Sequence, residues 1–196
     1  MAKLNRFVCA ADFANTGIGD CPIIPMHIVG MFIVPKDFEI TAASAVDLKT
    51  TLEEAAAKNV KKERILPIHH FVGVEDGSED PTENTLGYGG ISITREGNYD
   101  LTFQLGKGGM CLQKALRKHN KRPLSVLLYD ADGMLFGAKS GDVMKGIPVE
   151  LFYASPMKLS DGSTETSFHL RLVFKPNYFN ENLAYIATQG EGFMLQ

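Results

Sequence analysis

Two stretches of this sequence place an apolar residue at every second position, and all but one of the residues between them, Val173, are polar. The first runs from Tyr99 to Leu105 and the second from Phe168 to Phe174. Successive side chains of an extended strand point to opposite faces, so this period of two predicts strands with one face in a core. A helix would require a period near 3.6 instead. The chain is therefore constrained to a fold in which half-buried β-strands are a major component.

Other segments extend this prediction of a strand-rich fold. Continuous apolar runs at His27–Val34 and Leu124–Tyr129 are typical of strands buried on both faces. Hairpin turns are predicted at Glu96-Gly97-Asn98, Asp132-Gly133 and Ser160–Ser163. We expect about eight to ten strands, a number that commonly forms a sandwich or barrel. The predicted class is α+β, mainly β: an antiparallel β-sandwich or barrel with two helices and long loops.

The two predicted helices are Ala45–Asn59 and Met110–His119, where apolar residues recur at helical spacing. Ser44 is the expected N-cap of the first helix, with Asp47 in its first turn. Asn120 is the expected C-cap of the second. The predicted apolar face of the second helix consists of Cys111, Leu112, Ala115 and Leu116.

The length of 196 residues favours one domain, 1–196. Within it we expect an irregular N-terminal segment (about 1–26) and a long acidic loop (about 74–90). The strand patterns also predict a set of core residues: Phe103, Leu105, Val126, Leu128, Leu170, Leu172 and Phe174.

Sequence features also bear on cellular location. The first six residues lack the apolar core of a signal peptide. The longest apolar stretch, Ile28–Val34, is far shorter than the ~20 residues that span a bilayer, so no membrane partner is expected. The three cysteines, Cys9, Cys21 and Cys111, are too few and too scattered for a disulfide framework. These features predict synthesis in a reducing compartment.

Each pattern of the kind associated with catalysis or a cofactor has a simpler structural explanation. The glycine-rich segment 106–109 lacks the spacing of a nucleotide-binding loop. Asp130–Gly133 places its glycine too early for a calcium-binding EF-hand loop and is better explained as a hairpin. His69 and His70 are neighbours on a predicted strand, so they face opposite sides. We therefore predict no enzyme activity, no catalytic, cofactor or metal residues and no cofactor, although loose calcium binding by the acidic loop stays open.

Two clusters of opposite charge remain. The acidic cluster consists of Glu75, Asp76, Glu79, Asp80 and Glu83. The basic cluster consists of Lys114, Arg117, Lys118, Lys121 and Arg122. The basic helix face could meet solvent, nucleic-acid phosphates or another protein. Complementary patches on different faces of one subunit permit head-to-tail association, which produces rings or filaments. Both clusters are therefore the predicted assembly interface.

The order of these elements resembles that of bacteriophage tail tube (major tail) proteins and related ring-forming virion proteins. The likeness rests on the irregular N-terminus through Pro35, the acidic segment Glu75–Glu83 and the meander Gly90–Leu105. It is completed by the second helix and by the hairpins around Asp132-Gly133 and Asp161-Gly162.

The resemblance implies a structural subunit of the virion, made in the host cytoplasm. It would assemble with itself into a ring, and the ring expected from the resemblance is a hexamer. The rings would be stacked, or fitted into a viral tail or neck, in contact with other virion proteins. DNA would be a non-specific cargo in the lumen. A capsid decoration or head–tail connector protein is the structural alternative. A ligand- or carbohydrate-binding β-sandwich module is the alternative from another class, although the chain has no tryptophan to form a sugar platform.

Overall fold

The computed structural model describes residues 5–6, 27–41, 47–60, 63–69, 71–85, 91–95, 97–105, 110–120, 122–131, 133–158, 167–175 and 183–187. In these residues the protein is mainly β, with fourteen strands and two helices, and the strand registers are antiparallel. The predicted α+β, mainly β class is confirmed, with more strands than the eight to ten expected. The sandwich or barrel arrangement stays a prediction.

The strands are β1 (Asn5–Arg6), β2 (Ile28–Val34), β3 (Glu39–Ile40), β4 (Leu66–His69), β5 (Phe71–Asp76), β6 (Thr82–Thr85), β7 (Ile91–Arg95), β8 (Tyr99–Leu105), β9 (Leu124–Asp130), β10 (Met134–Ser140), β11 (Val143–Lys145), β12 (Ile147–Ala154), β13 (Phe168–Phe174) and β14 (Leu183–Ala187). The helices are α1 (Leu48–Ala57) and α2 (Met110–Arg117).

The fold divides into two compact units. Unit 1 takes its described residues from Met1–His69, Ser125–Ile147 and Glu181–Gln196, and unit 2 from His70–Leu124 and Pro148–Asn180. Each unit is built from chain sections that are distant in sequence. The single domain expected from chain length stays a prediction.

Unit 1 is a sheet with one helix packed on it. Its strands follow the order β1-β14-β10-β9-β2-β4, and β11 pairs with both β10 and β3. The two long apolar runs of the sequence form β2 and β9, whose side chains are nearly all buried, as predicted. Helix α1 contributes Leu48, Leu52 and Ala55 to a core that also contains Phe32 and Leu127 from the sheet.

Helix α1 begins later than the sequence predicted. The helix starts at Leu48, and the carboxylate of Asp47 accepts a hydrogen bond from the Thr50 backbone N–H at 3.3 Å. Asp47 is therefore the N-cap, because its side chain satisfies one of the unpaired amides of the first turn. The expected cap, Ser44, lies outside the described residues.

Unit 2 contains the sheet β12-β13-β8-β5. In the register of β13 with β8, Leu170 lies opposite Phe103 and Leu172 opposite Leu101, and all four side chains are buried. Paired residues share a face, so the two alternating stretches combine into one apolar layer. Phe71 of β5 extends this layer by stacking on Phe103 at 4.6 Å between ring centroids.

All seven predicted core residues are buried, which confirms the assignment of the strand faces. Five of them belong to unit 2, and Val126 and Leu128 belong to unit 1.

The predicted hairpin turns have different outcomes. The hairpin predicted at Asp132-Gly133 is confirmed by the pairing of β9 with β10, with Gly133 at φ 79 and the Asp130 carboxylate accepting from the Met134 amide at 2.8 Å, while Asp132 lies outside the described residues. Strands β12 and β13 also pair as a hairpin requires, but Ser160–Ser163 lies outside the described residues. The hairpin at Glu96–Asn98 is wrong, because β7 pairs with β6 while β8 pairs with β5 and β13.

Candidate assembly surfaces

A long two-stranded hairpin occupies the segment from Phe71 to Leu105, and we call it the hairpin arm. At its base β5 pairs with β8. The ladder continues through two backbone bonds, from the Gly77 amide to the Asp100 carbonyl at 2.8 Å and from the Glu79 amide to the Asn98 carbonyl at 3.0 Å. Beyond them β6 pairs with β7. Backbone hydrogen bonds thus join the outgoing strand of the arm to the returning strand over most of its described length.

The hairpin arm corrects the prediction of a long acidic loop over about 74–90. Glu75 and Asp76 lie on strand β5 and Glu83 lies on strand β6; in the described part of this range, 74–85, the residues outside a strand are 77–81. Acidic residues disfavour strands in general, but here they lie where side chains are exposed and backbone pairing supports the strand. The chain therefore holds its acids on an ordered ladder.

All five residues of the acidic cluster are exposed on the hairpin arm. The Asp76 carboxylate accepts hydrogen bonds from the amide and hydroxyl of Ser78, so it stabilises the turn after β5. Glu79 lies 3.9 Å from the guanidinium of Arg95 on β7. Within the described residues Glu75, Asp80 and Glu83 form no ion pair. These three carboxylates are therefore available to a partner.

An ion pair fixes the base of the hairpin arm. The Arg171 guanidinium on β13 donates its Nε–H to both oxygens of Asp100 on β8, each at 2.9 Å, and a second nitrogen also binds Asp100. The hydrogen bond and the negative charge of Asp100 raise the pKa of Arg171 above its ordinary value. The pair joins β13 to β8 just where the arm leaves the sheet.

Strand β5 is an edge of the unit 2 sheet as far as the described residues extend. Its register with β8 shifts between Phe71 and Gly73, which leaves Val72 as the extra residue of a β-bulge. The Val72 side chain is 64% exposed. An apolar side chain is thus presented at the edge, three residues before the exposed Glu75.

The basic cluster lies on and just after α2. Lys114, Arg117, Lys118 and Arg122 are exposed, as the sequence predicted, and Lys121 lies outside the described residues. Positions 114, 117 and 118 are separated by three and four residues, so they share one face of the helix. Met110, four residues before Lys114, extends this face and is 74% exposed.

The predicted apolar face of α2 is right for Leu116, which is buried, and for Leu112, which is half-buried, but wrong for its other two residues. Cys111 and Ala115 are exposed, and the side chains that the helix buries are Gln113 and Leu116. Gln113 is buried because its side-chain amide donates a hydrogen bond to the Ser155 carbonyl at 2.8 Å, which turns this residue inward. The buried contact therefore includes a hydrogen-bonded glutamine that a hydrophobicity pattern excludes.

Asn120 connects the end of α2 to strand β12. Its side-chain carbonyl accepts from the Ala154 amide at 2.7 Å, and its amide donates to the Ala154 carbonyl at 3.2 Å. The expected role as C-cap is replaced by this two-way bond to a buried residue. Next to it, burial and then the charge of Arg122 lower the pKa of His119 below its ordinary value of 6.5.

The two charge clusters belong to the same unit, and neither neutralises the other within the described residues. None of the ion pairs of the described structure joins them, and Lys114, Arg117, Lys118 and Arg122 form no ion pair there. Both clusters were evident in the sequence from their composition alone. The hairpin arm and the exposure of Val72 and Met110 were not evident, because exposure at a bulge or a helix start leaves no period in the sequence.

Three other features of the described structure concern metal binding, the two neighbouring histidines and membrane-spanning helices. In the residues described, no group of three or more His, Cys, Asp or Glu side chains is arranged to hold a metal ion. The ring of His69 packs edge-on against Phe32 with 6.0 Å between centroids, and His70 lies outside the described residues. Neither described helix has the length and apolar character needed to cross a membrane.

Comparisons with protein-family models, with curated proteins and with solved structures find no match to this chain.

Proposed function

We propose that this protein is a self-assembling structural subunit of a bacteriophage virion, a ring-forming component of a tail tube or neck, and that its role is structural and not enzymatic. The observation that carries the proposal is the hairpin arm. Its distal strands β6 and β7 are hydrogen-bonded to each other and to no other strand in the described part of the chain. An isolated two-stranded hairpin is only marginally stable in water, so a second surface is expected to support it.

Assembly with copies of itself supplies that surface. A ring repeats one contact around an axis, and stacked rings repeat another along it, so a single projecting element meets the same neighbour many times. The mainly β fold gives a rigid base for such an element. In this proposal DNA is the non-specific cargo of the lumen and the other partners are virion proteins.

Native mass is the first test. We expect light scattering after gel filtration to give a mass several-fold above the 21.5 kDa of one chain. Negative-stain images should show rings with a central opening, alone or stacked. A monomer at every concentration, with no rings on the grid, would contradict the proposal.

A shortened variant tests the role of the hairpin arm. Replacing residues 80–97 by Asn-Gly would close the ladder directly after the Glu79–Asn98 backbone bond, because Asn-Gly favours a two-residue hairpin turn. We expect this variant to keep the circular dichroism spectrum of a β-rich protein and to lose stacked assemblies. Unchanged stacking would show that the distal arm takes no part in assembly.

A further inference from the structure

We infer that the basic face of α2 docks on the acidic edge of the hairpin arm of a second copy of this chain. The inference rests on the proposed self-assembly and names the surfaces that meet. The basic surface is defined by Met110, Lys114, Arg117, Lys118 and Arg122. The acidic surface is defined by Val72, Glu75, Asp80 and Glu83.

Charge complementarity selects a second copy as the occupant. The described residues of both surfaces are exposed and form no ion pair within the described chain. Each copy therefore carries both halves of a complementary pair. A net charge of −3 for the chain gives no general attraction to a polyanion, so the basic patch is a local feature suited to an acidic protein surface.

Each surface also contains an exposed apolar side chain. Val72 on the acidic surface and Met110 on the basic surface are two of the large apolar side chains that are exposed to solvent in the described structure. Exposed ion pairs contribute only about 0–1 kcal/mol each, so charge alone would give weak binding. Contact between apolar residues would supply affinity, while the surrounding charges set orientation and partner choice.

The charge arrangement disfavours the simplest alternative contact between two copies. An edge strand such as β5 can pair with the same edge of another molecule, which gives a two-fold dimer. Here such pairing would bring Glu75 and its neighbours against the same carboxylates, and like charges directly opposite one another are destabilising. The acids therefore direct association to the helix of the neighbour. That contact is heterologous, the kind that closes into rings or extends into filaments.

A pair of charge reversals tests the docking. Variant A carries Arg117→Glu and Lys118→Glu, and variant B carries Glu75→Lys and Glu83→Lys. None of these side chains has a bonding role in the described fold, whereas Asp76 and Glu79 are left intact because they bind Ser78 and Arg95. A control with Lys36→Glu and Lys158→Glu changes two other exposed lysines and alters the net charge as much as variant A.

We expect A and B, each alone, to associate at least about tenfold more weakly than the parent chain, equivalent to about 1.4 kcal/mol, with unchanged circular dichroism spectra. Mixing A with B should restore association, because each arm then meets a helix of opposite charge. The control should associate like the parent chain. Association of the parent should weaken between about 50 mM and about 500 mM salt, as screened charges require.

The apolar part of the contact has a separate signature. Val72→Ser or Met110→Ser should weaken association at both salt concentrations, because burial of apolar surface is not screened by salt. Native mass by light scattering is the measurement for all variants.

The contrary outcomes are distinct. If the parent chain is monomeric at every concentration, both the proposed function and this docking fail. If A and B assemble like the parent at low salt, the subunit assembles through other surfaces and only the docking is overturned. If A assembles normally but loses binding to a DNA duplex that the parent binds, the basic face serves nucleic acid and the docking is again overturned.

Discussion

Asn120 shows how much one polar side chain can contribute in this fold. It forms two hydrogen bonds to the backbone of Ala154, whose side chain is fully buried. Without the side-chain amide of Asn120, the backbone N–H and C=O of Ala154 would each lose this hydrogen-bond partner. Buried backbone groups without partners are costly, so Asn120 links the short helix to strand β12.

We predict that Asn120→Ala lowers the free energy of unfolding by about 1–3 kcal/mol, the range for leaving buried polar groups unsatisfied. Urea unfolding followed by circular dichroism is the measurement. Lys158→Ala, at an exposed position of the same unit outside both docking surfaces, is the control and should change stability by less than about 0.5 kcal/mol. Equal effects of the two substitutions would show that the Asn120 bonds carry no special weight.

His119 predicts a pH dependence of stability. Burial and Arg122 lower its pKa in the folded state, so between that value and 6.5 the unfolded chain binds a proton that the folded chain does not. The contribution of His119 to stability is therefore constant above pH 6.5 and decreases as the pH falls through this range. Unfolding free energies of His119→Gln and the parent, compared at several pH values, should diverge in this direction. Parallel pH profiles would contradict the assignment.

At the scale of elements, the Asp100–Arg171 pair should hold the base of the hairpin arm. We predict that Arg171→Gln increases hydrogen exchange at the Gly77 and Glu79 amides, which bond to the opposite strand there. The global free energy of unfolding should fall by no more than about 1 kcal/mol, since Arg171 is half-exposed.

The control for this prediction is Lys175→Gln, which removes the exposed ion pair with Glu150 on the same unit at 3.2 Å. Its effect on exchange at Gly77 and Glu79 should be negligible. If both variants accelerate exchange equally, the effect is a general loss of stability and not a local release of the arm.

The elements that sequence predicted well are those whose burial follows a simple period. Strands β8 and β13 have one buried face, so alternation identified both the strands and their core residues. Helix α2 was located, but its eight residues make barely two turns, and the buried Gln113 contradicts a hydrophobic pattern. The strands of the hairpin arm that carry Glu75 and Glu83 were missed, because the ladder there is stabilised by backbone pairing and its side chains remain in water.

At the scale of the whole molecule, the prediction of one domain can be tested by unfolding. Leu128 lies in the core of unit 1 and Phe103 in the core of unit 2. We predict that truncation of either to alanine costs about 2–5 kcal/mol. If the chain is one cooperative domain, both variants should show a single transition with a lowered midpoint in calorimetry. A variant in which only part of the heat absorption shifts would show instead that the units unfold independently.

The discontinuity of unit 1 has a consequence for synthesis. Strand β14 pairs with β1 on one side and with β10 on the other, so the sheet receives this strand only after residues 183–187 have been translated. A nascent chain that stops before Leu183 presents β10 with one unpaired edge, a template on which other incomplete chains can aggregate. Unit 2 ends at position 180, so its folding does not depend on the translation of β14. A chain truncated before Leu183 should therefore aggregate more readily than the 196-residue chain, and the insoluble fraction of each after expression is the measurement.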